Sequence, residues 1–269
     1  MLNIYQVDAF TKKLFGGNPA AVVILDRWLD NEVLRSIAAE NNLAETAYLV
    51  ADTDSWELRW FTPTEEVALC GHATLAAAHV LLTQLGCTDD VFKFKTRESG
   101  MLSVEPGQDG ALTMSFPVVP VSVSNHSHAQ AVGAALRSTP ARIMYGHYSA
   151  DQIDFLALFE SEDEVAALEP DLTLFKTLSS RGVIATAKGN VCDFVSRYFA
   201  PNFGINEDPV TGSAHCLLAP YWSRVLGKQQ LEARQISQRG GDILCEVHED
   251  RVLLTGHAVN YLSGSIHVS

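Results

Sequence analysis

Short runs in which apolar and polar residues alternate recur along the chain, and they predict strands. The runs "LNIYQVDAF", "ETAYLV" and "SWELRWF" near the beginning are typical of half-buried strands. Before the second of these, "DNEVLRSIAAENN" has apolar residues at 33, 34, 37 and 38, the spacing of one helix face, with Asp30 as candidate N-cap. The first part of the chain therefore predicts a sheet and an amphipathic helix.

Two further segments are apolar on nearly every side. "GHATLAAAHVLLTQLG" (71–86) and "TGSAHCLLAPYWSRVLG" (211–227) predict helices without a charged side chain before the last turn, and three strands follow each of them. A helix without a polar face must be surrounded by protein. Each segment therefore predicts a central helix enclosed by strands. Pro220 should kink or end the second helix, because it lacks an N–H and its ring crowds the preceding turn.

The two halves of the chain repeat one order of motifs. "RWFTP" (59–63) matches "RYFAP" (197–201), "GHA" (71–73) matches "GSA" (212–214), and "TRESG" (96–100) matches "SQRGG" (237–241). Three separated matches in the same order favour two homologous domains over a chance likeness, and the period is too long for a solenoid. We expect domains of residues 1–118 plus 257–269 and of residues 119–256, with a solvated linker at "SNHSHAQ".

Charge and composition exclude several functions. The formal net charge is -13 and no basic patch occurs, so we expect no nucleic-acid binding. The N-terminal residues do not resemble a signal peptide and no apolar run is long enough to span a membrane, so we expect a cytoplasmic protein. The 5 cysteines include no CxxC pair, which argues against a disulfide framework or a zinc site. Nucleotide-binding and serine-hydrolase motifs are also missing.

Four motifs in order resemble the PhzF-like isomerase family of phenazine biosynthesis: "GNPAAVV", "NNLAETAYL", "RWFTPTEEVALCGHATLAAAHVL" and "EDPVTGSAH". That family is similar to diaminopimelate epimerase and proline racemase. The resemblance implies an α+β fold of two pseudo-symmetric domains, each a β-barrel-like sheet around a central helix, with the active site in the cleft between them. It also implies a small carboxylate substrate, catalysis without a cofactor, and a possible homodimer.

Glu45 is the candidate general acid/base. It lies between a predicted helix and a predicted strand, among the apolar or small residues of "NNLAETAYLV". Burial in such surroundings would disfavour the ionised carboxylate and raise its pKa toward a catalytically useful range. The alternative from spacing alone is an exposed loop glutamate. The resemblance favours the catalytic role, because the family's glutamate falls on this motif.

The starts of the two apolar helices supply the other candidates. The first turn of a helix offers unpaired N–H groups and the positive end of the dipole, which together bind anions such as a carboxylate. The resemblance places three side chains around the glutamate as orienting or proton-relaying groups, and four residues as sources of backbone amides. The three side chains are those of His72, Asp208 and Ser213. The four residues that supply backbone amides are Gly71, Ala73, Gly212 and Ala214.

No metal site is expected at the first helix. His72 and His79 are seven residues apart on one face, but the sequence offers no acid or cysteine to complete a ligand set. Either histidine alone is more often a hydrogen-bonded core residue.

The difference between Cys70 and its match, Thr211, bears on the mechanism. A racemase that uses two thiols needs one on each face of the substrate carbon, and a threonine hydroxyl is a poor base. We therefore expect a cofactor-independent isomerase in which Glu45 moves a proton on a small carboxylate. One alternative is a racemase or epimerase that uses Glu45 with Cys70, and another is a binding protein of the same fold without turnover. In the phenazine branch the substrate is similar to a dihydro-hydroxyanthranilate, but no residue here identifies the branch.

Overall fold

The computed structural model describes residues 1–149 and 152–268, and the chain divides into two compact units. Unit 1 comprises Met1–Ser115 and Thr255–Ser269, and unit 2 comprises Phe116–Leu254. The divisions predicted from the sequence lay after residues 118 and 256. In the described residues, no helix is long and apolar enough to cross a membrane.

The elements alternate between strands and a few helices, which gives the expected α+β class. Up to the first division these are β1 (Leu2–Ala9), β2 (Asn18–Leu25), α1 (Asn31–Asn41), β3 (Glu45–Ala51), β4 (Trp56–Phe61), β5 (Glu66–Val67), α2 (Gly71–Thr83), β6 (Phe92–Lys95), β7 (Met101–Pro106) and β8 (Leu112–Pro117). After it come β9 (Val121–Val123), α3 (His126–Leu136), β10 (Arg142–Ser149), β11 (Gln152–Leu158), α4 (Glu162–Ala166), α5 (Leu172–Phe175), β12 (Gly182–Lys188), β13 (Phe194–Ala200), β14 (Ile205–Asp208), α6 (Gly212–Leu226), β15 (Gln230–Gln235), β16 (Gly241–Val247), β17 (Arg251–Gly256) and β18 (Ala258–Ile266).

Both units pair their strands in the same sequence of directions. In unit 1, β1/β2 is antiparallel, β2/β3 parallel, β3/β4 antiparallel, β4/β6 parallel and β6/β7 antiparallel. In unit 2, β10/β11, β11/β12, β12/β13, β13/β15 and β15/β16 follow the same alternation. The last strand, β18, returns to unit 1 and pairs antiparallel with β1. The pseudo-symmetric repeat predicted from the motifs is therefore confirmed.

The registers align the first residues of two equivalent strands. Glu45 opens β3 and lies beside Ala20 of β2, while Gly182 opens β12 and lies beside Asp154 of β11. The next residue in each strand pairs with the phenylalanine of its "RWF" or "RYF" motif. Glu45 and Gly182 are thus equivalent positions of the two units.

The two apolar helices are the buried centres of their units. In α2 every residue from His72 to Leu81 is buried, and α2 contacts β1, β2 and β3. In α6 most residues from Gly212 to Trp222 are buried as well. A helix that is apolar all round is stable only when strands cover it on every side, as they do here.

Pro220 does not end the second helix, which was one of the two outcomes expected there. Helix α6 continues through Pro220 to Leu226. A proline removes the N–H that would bond the carbonyl four residues earlier, which here belongs to Cys216. That carbonyl instead accepts the backbone N–H of Val119 at 2.9 Å, so no buried acceptor is lost.

The predicted linker at "SNHSHAQ" was also wrong. His126 begins the helix α3, and the Asn125 side chain caps it by accepting the His128 N–H at 2.9 Å. The ring of His128 packs edge-on against Phe155, with the centroids 5.4 Å apart. The segment is therefore a capped helix start that packs on unit 2.

Candidate active site

The first group of site residues is built around Glu45 and His72 in unit 1. Glu45 is the first residue of β3, and His72 is the second residue of α2. Glu45 Oε2 lies 3.3 Å from His72 Nε2, and their side chains are 13% and 8% exposed. The structure therefore brings these two candidates together from positions 27 residues apart in the chain.

Asn18 sets the direction of the His72 ring, and it was missed by the sequence analysis. It is fully buried at the start of β2, and its Nδ2 lies 3.2 Å from His72 Nδ1. With Nδ1 accepting from this amide, the ring proton is on Nε2, the nitrogen that lies 3.3 Å from Glu45 Oε2. The preceding Gly17 has φ +63, and a Cβ there would lie 2.1 Å from the carbonyl oxygen of Ala9. The Gly-Asn pair of "GNP" is thus a local requirement for the turn that delivers the amide.

His72 is neutral at physiological pH. Burial lowers its pKa to about 3, because the imidazolium would lose its hydration. A neutral ring with a fixed tautomer accepts at one nitrogen and donates at the other. His72 can therefore orient the carboxylate of Glu45 and take part in hydrogen bonding without carrying a charge.

Cys70 completes this group. It is the N-cap residue of α2, it is 7% exposed, and its Sγ lies 3.5 Å from His72 Nδ1. One donor atom each of Glu45, Cys70 and His72 lie within 4.8 Å of one another. The stated ground for rejecting a metal at His72, that no acid or cysteine would join it, was therefore wrong. The Asn18 amide, however, points an N–H at the ring nitrogen that faces Cys70, so the donor set fits a hydrogen-bonded network better than a metal centre.

The second group lies in unit 2, around Asp208. This residue ends β14 and is 8% exposed. The hydroxyl of Thr211, the N-cap residue of α6, donates to Asp208 Oδ2. The buried Gln235 fixes the turn between them, because its Nε2 donates to the Asp208 carbonyl at 2.6 Å and its Oε1 accepts the Thr211 N–H at 2.9 Å. Gln235 is a second residue that the sequence analysis missed.

Ser213 stands on the first turn of α6 beside a cation. Its hydroxyl lies 3.5 Å from Arg181 Nη2, and its carbonyl accepts the hydroxyl of Tyr148 at 3.0 Å. The guanidinium of Arg181 also stacks on the Tyr148 ring, 4.2 Å from its centroid. The neighbouring amide candidates, Gly212 and Ala214, are buried in the same turn.

A buried carboxylate supports this cation. Asp154 is fully buried, and its Oδ2 lies 3.9 Å from Arg181 Nη1 while its Oδ1 accepts the Tyr198 hydroxyl at 3.0 Å. Burial raises the pKa of Asp154, and the charge of Arg181 and the Tyr198 hydrogen bond oppose that shift. Neither Arg181 nor Asp154 was among the residues selected from the sequence.

Unit 2 also has a buried, neutral histidine, His215, which lies one turn after Thr211 in α6. Its Nδ1 donates to the Thr211 carbonyl at 2.8 Å, and burial lowers its pKa to about 4. Within unit 1, Thr74 makes the equivalent contact from α2, because its hydroxyl donates to the Cys70 carbonyl at 2.6 Å. The amide candidates Gly71 and Ala73 lie in that first turn of α2, as expected.

Comparison with known proteins identifies relatives over nearly the whole chain. The family model described as "Phenazine biosynthesis-like protein" (PhzC-PhzF) matches residues 7–264. An uncharacterized isomerase of Pseudomonas aeruginosa is 46% identical over 269 residues, which cover 100% of this chain and 99% of the relative.

Solved structures agree with these sequence matches. A PhzF-family protein of Enterococcus faecalis superposes with a TM-score of 0.91 at 40% identity, and the match covers 99% of each chain. A probable proline racemase of Agrobacterium radiobacter superposes with a TM-score of 0.65 at 10% identity, over 100% of this chain and 94% of the racemase. This second likeness shows a shared fold, as the sequence motifs had implied.

Proposed function

The chain belongs to the phenazine biosynthesis-like (PhzC-PhzF) family and is an isomerase, and from that premise we propose that it moves a proton on a small carboxylate substrate without a cofactor. Glu45 is the general acid/base in this proposal. It removes a proton from a substrate carbon and returns it to another, which shifts a double bond or converts an enol.

The observation that carries the proposal is the contact between Glu45 and His72. A base must be held in one orientation and one protonation state to accept a carbon-bound proton efficiently. His72 Nε2 lies 3.3 Å from Glu45 Oε2, and the Asn18 amide, 3.2 Å from Nδ1, holds the other side of the ring.

The helix starts bind the substrate in this proposal. The first-turn amides of α2, at Gly71 and Ala73, and of α6, at Gly212 and Ala214, are oriented donors for a carboxylate and for charge that develops on it. Ser213 adds a hydroxyl to the same turn of α6. The carboxylate of Asp208, held by Thr211 and by the turn that Gln235 fixes, orients or relays a proton.

A second candidate is a racemase or epimerase in which Cys70 acts as the partner of Glu45. The observation in its favour is the 3.5 Å contact between Cys70 Sγ and His72 Nδ1, which brings the thiol into the same network. The isomerase is preferred because unit 2 has Thr211 at the position of Cys70, so the symmetric pair of thiols is not available.

The test is a screen for hydrogen exchange. The protein is incubated in D2O with a panel of small saturated, unsaturated, hydroxylated and amino-substituted carboxylates, and deuterium uptake is followed by mass spectrometry. NMR of any exchanged compound separates double-bond migration from inversion at a chiral centre. We expect uptake by the wild-type protein with migration, and little uptake by Glu45→Gln. Equal uptake by both proteins would remove Glu45 from the mechanism, and inversion without migration would favour the epimerase.

A further inference from the structure

Arg181 differs from the two arginines that share the repeated motif. Arg59 and Arg197 each bind a glutamate through two N–H groups, at 2.6–2.7 Å for Glu66 and 2.7–2.9 Å for Glu207. Such bidentate pairs satisfy the guanidinium and hold the sheet together. Arg181 has no such partner among the described residues, since Asp154 at 3.9 Å is beyond hydrogen-bonding distance.

The guanidinium of Arg181 is nevertheless firmly positioned. It stacks on the ring of Tyr148, whose hydroxyl is bound to the Ser213 carbonyl, and its Nη2 lies 3.5 Å from the Ser213 hydroxyl. Its side chain is 21% exposed, so Arg181 is only partly removed from solvent. A stacked, partly desolvated arginine with donors to spare is suited to binding a planar anion.

The buried carboxylate of Asp154 is further support for a binding site at Arg181. A carboxylate that is fully buried is costly unless a specific purpose or partner offsets its lost hydration. Here it stands behind the guanidinium and accepts the hydroxyl of Tyr198. A Cβ at Gly182 would lie 2.6 Å from the Tyr198 ring, so the glycine that follows Arg181 is required for that approach.

The repeat adds an independent argument. Glu45 and Gly182 are equivalent first residues of β3 and β12, so Arg181 stands one residue before the position that holds the proposed base in unit 1. His72 and Ser213 are likewise equivalent second residues of α2 and α6. Each unit therefore sets one charged side chain against the first turn of its central helix, an acid in unit 1 and a cation in unit 2.

We propose that Arg181, together with the Ser213 hydroxyl, is the anchoring site for the carboxylate of the substrate. The inference rests on the proposed function and names a residue that the family motifs did not indicate. The guanidinium fork binds both carboxylate oxygens, and the Ser213 hydroxyl donates to one of them. Tyr148 and Asp154 act as positioning residues that hold the fork in place.

The test compares a planar carboxylate with its neutral analogue. Benzoate and benzamide have nearly the same shape, but only benzoate has the charge that the guanidinium binds. Dissociation constants for both are measured by ligand-observed NMR on wild type, Arg181→Met and Arg181→Lys, with Arg234→Met as the control. Arg234 is an arginine of the same unit that pairs with Asp242 on the surface.

The proposal predicts a selective loss. Arg181→Met should weaken benzoate binding at least about tenfold, the effect of removing a charge-assisted hydrogen bond, and leave benzamide binding unchanged. The affinity of Arg181→Lys for benzoate should lie between those of wild type and Arg181→Met, because lysine keeps the positive charge but lacks the two parallel N–H donors of the guanidinium. Equal benzoate affinity in wild type and Arg181→Met would overturn the proposal, and so would wild-type protein that does not bind benzoate.

Two further variants keep the result interpretable. Removing Arg181 leaves Asp154 buried opposite no cation, so Arg181→Met could unfold; the double variant Asp154→Asn/Arg181→Met removes that charge and should show the same selective loss. Glu45→Gln should bind benzoate like wild type. If Glu45→Gln retains full hydrogen exchange while Arg181→Met has lost benzoate binding, the proposed base is wrong and the anchoring site stands.

Discussion

In unit 1 the residue at the start of β3 is an acid, Glu45, that faces His72 on the central helix. In unit 2 the residue just before β12 is a cation, Arg181, that faces Ser213 on the equivalent helix. The strands and helices around these pairs follow one plan, with the same pairing directions. The scaffold is therefore repeated, and the chemistry at its two helix starts is not.

The contacts that do repeat are those that hold each sheet together. The arginine–glutamate pairs Arg59–Glu66 and Arg197–Glu207 have nearly the same geometry in both units. By contrast, the helix start of unit 1 has an acid and an imidazole ring, Glu45 and His72. The helix start of unit 2 has a cation and a hydroxyl, Arg181 and Ser213. The two proposals assign the proton transfer to a residue of unit 1 and carboxylate binding to a residue of unit 2, and each prediction below challenges that assignment.

Among the variants of supporting residues, the largest effect is expected at Asn18, whose equivalent position in unit 2 holds Gln152. Asn18→Leu removes the amide that lies against His72 Nδ1, so neither the ring orientation nor its tautomer is held in place beside Glu45. We expect kcat to fall by about ten- to a hundredfold, the cost of misplacing a catalytic group. Gln152→Leu is the matched control, because Gln152 stands two residues before Asp154 just as Asn18 stands two before Ala20. Equal rates in both variants, with unchanged thermal midpoints, would show that the ring needs no such support.

A smaller effect is expected on the free energy of unfolding in acid, to which one buried histidine of each unit should contribute in the same direction. Burial lowers the pKa of His72 to about 3 and that of His215 to about 4. Between pH 6.5 and these values the unfolded chain binds protons that the native chain does not, so stability is full above pH 6.5 and falls as the pH decreases.

Each histidine should cost about 1 kcal/mol of unfolding free energy at pH 5.5 relative to pH 7.5. Urea unfolding at both pH values measures the difference, and His72→Gln and His215→Gln should each reduce it by about 1 kcal/mol. A pH effect that is the same in both variants and in wild type would contradict the assignment to these rings.

The smallest effect is expected at Cys70. Cys70→Thr copies the residue that unit 2 has at the N-cap of its central helix, Thr211. Because a buried thiol contributes mainly to packing, turnover should stay within about tenfold of wild type. A loss on the order of 10³ would mean that the thiol acts in catalysis, and the racemase alternative would then replace the isomerase.

The repeated scaffold could be predicted from the sequence because its signals are local. The "RWF" and "RYF" strands, the glycines that open both apolar helices and the late return of the chain are all visible as motifs or periodic patterns. Two of the errors have local reasons too. Pro220 is tolerated because Val119 takes the carbonyl that it leaves, and Asn125 turns the supposed linker into a capped helix.

The supporting residues of the site could not be predicted, because their partners are distant in the chain. Asn18 contacts a ring 54 residues away, Gln235 fixes a turn 24 residues earlier, and Arg181 reaches a hydroxyl 32 residues later. Asn18 lies within the motif "GNPAAVV", but the motif does not show which side chain it contacts, and Gln235 and Arg181 lie in none of the four motifs. Comparing the two halves residue by residue would have drawn attention to Arg181, since it neighbours the position equivalent to Glu45.

The central claim is that Glu45 performs the chemistry and that its role is separable from binding. Glu45→Gln keeps the shape and hydrogen-bonding capacity of the side chain but cannot accept a proton at neutral pH. The measurement is single-turnover proton exchange on a substrate found in the screen, with calorimetric binding of the same compound to wild type and Glu45→Gln. The account predicts a rate lower by about 10²–10⁴ with little change in affinity. Near-normal exchange, or lost binding with unchanged chemistry, would contradict it, and Asp208 would then be the first alternative base to test.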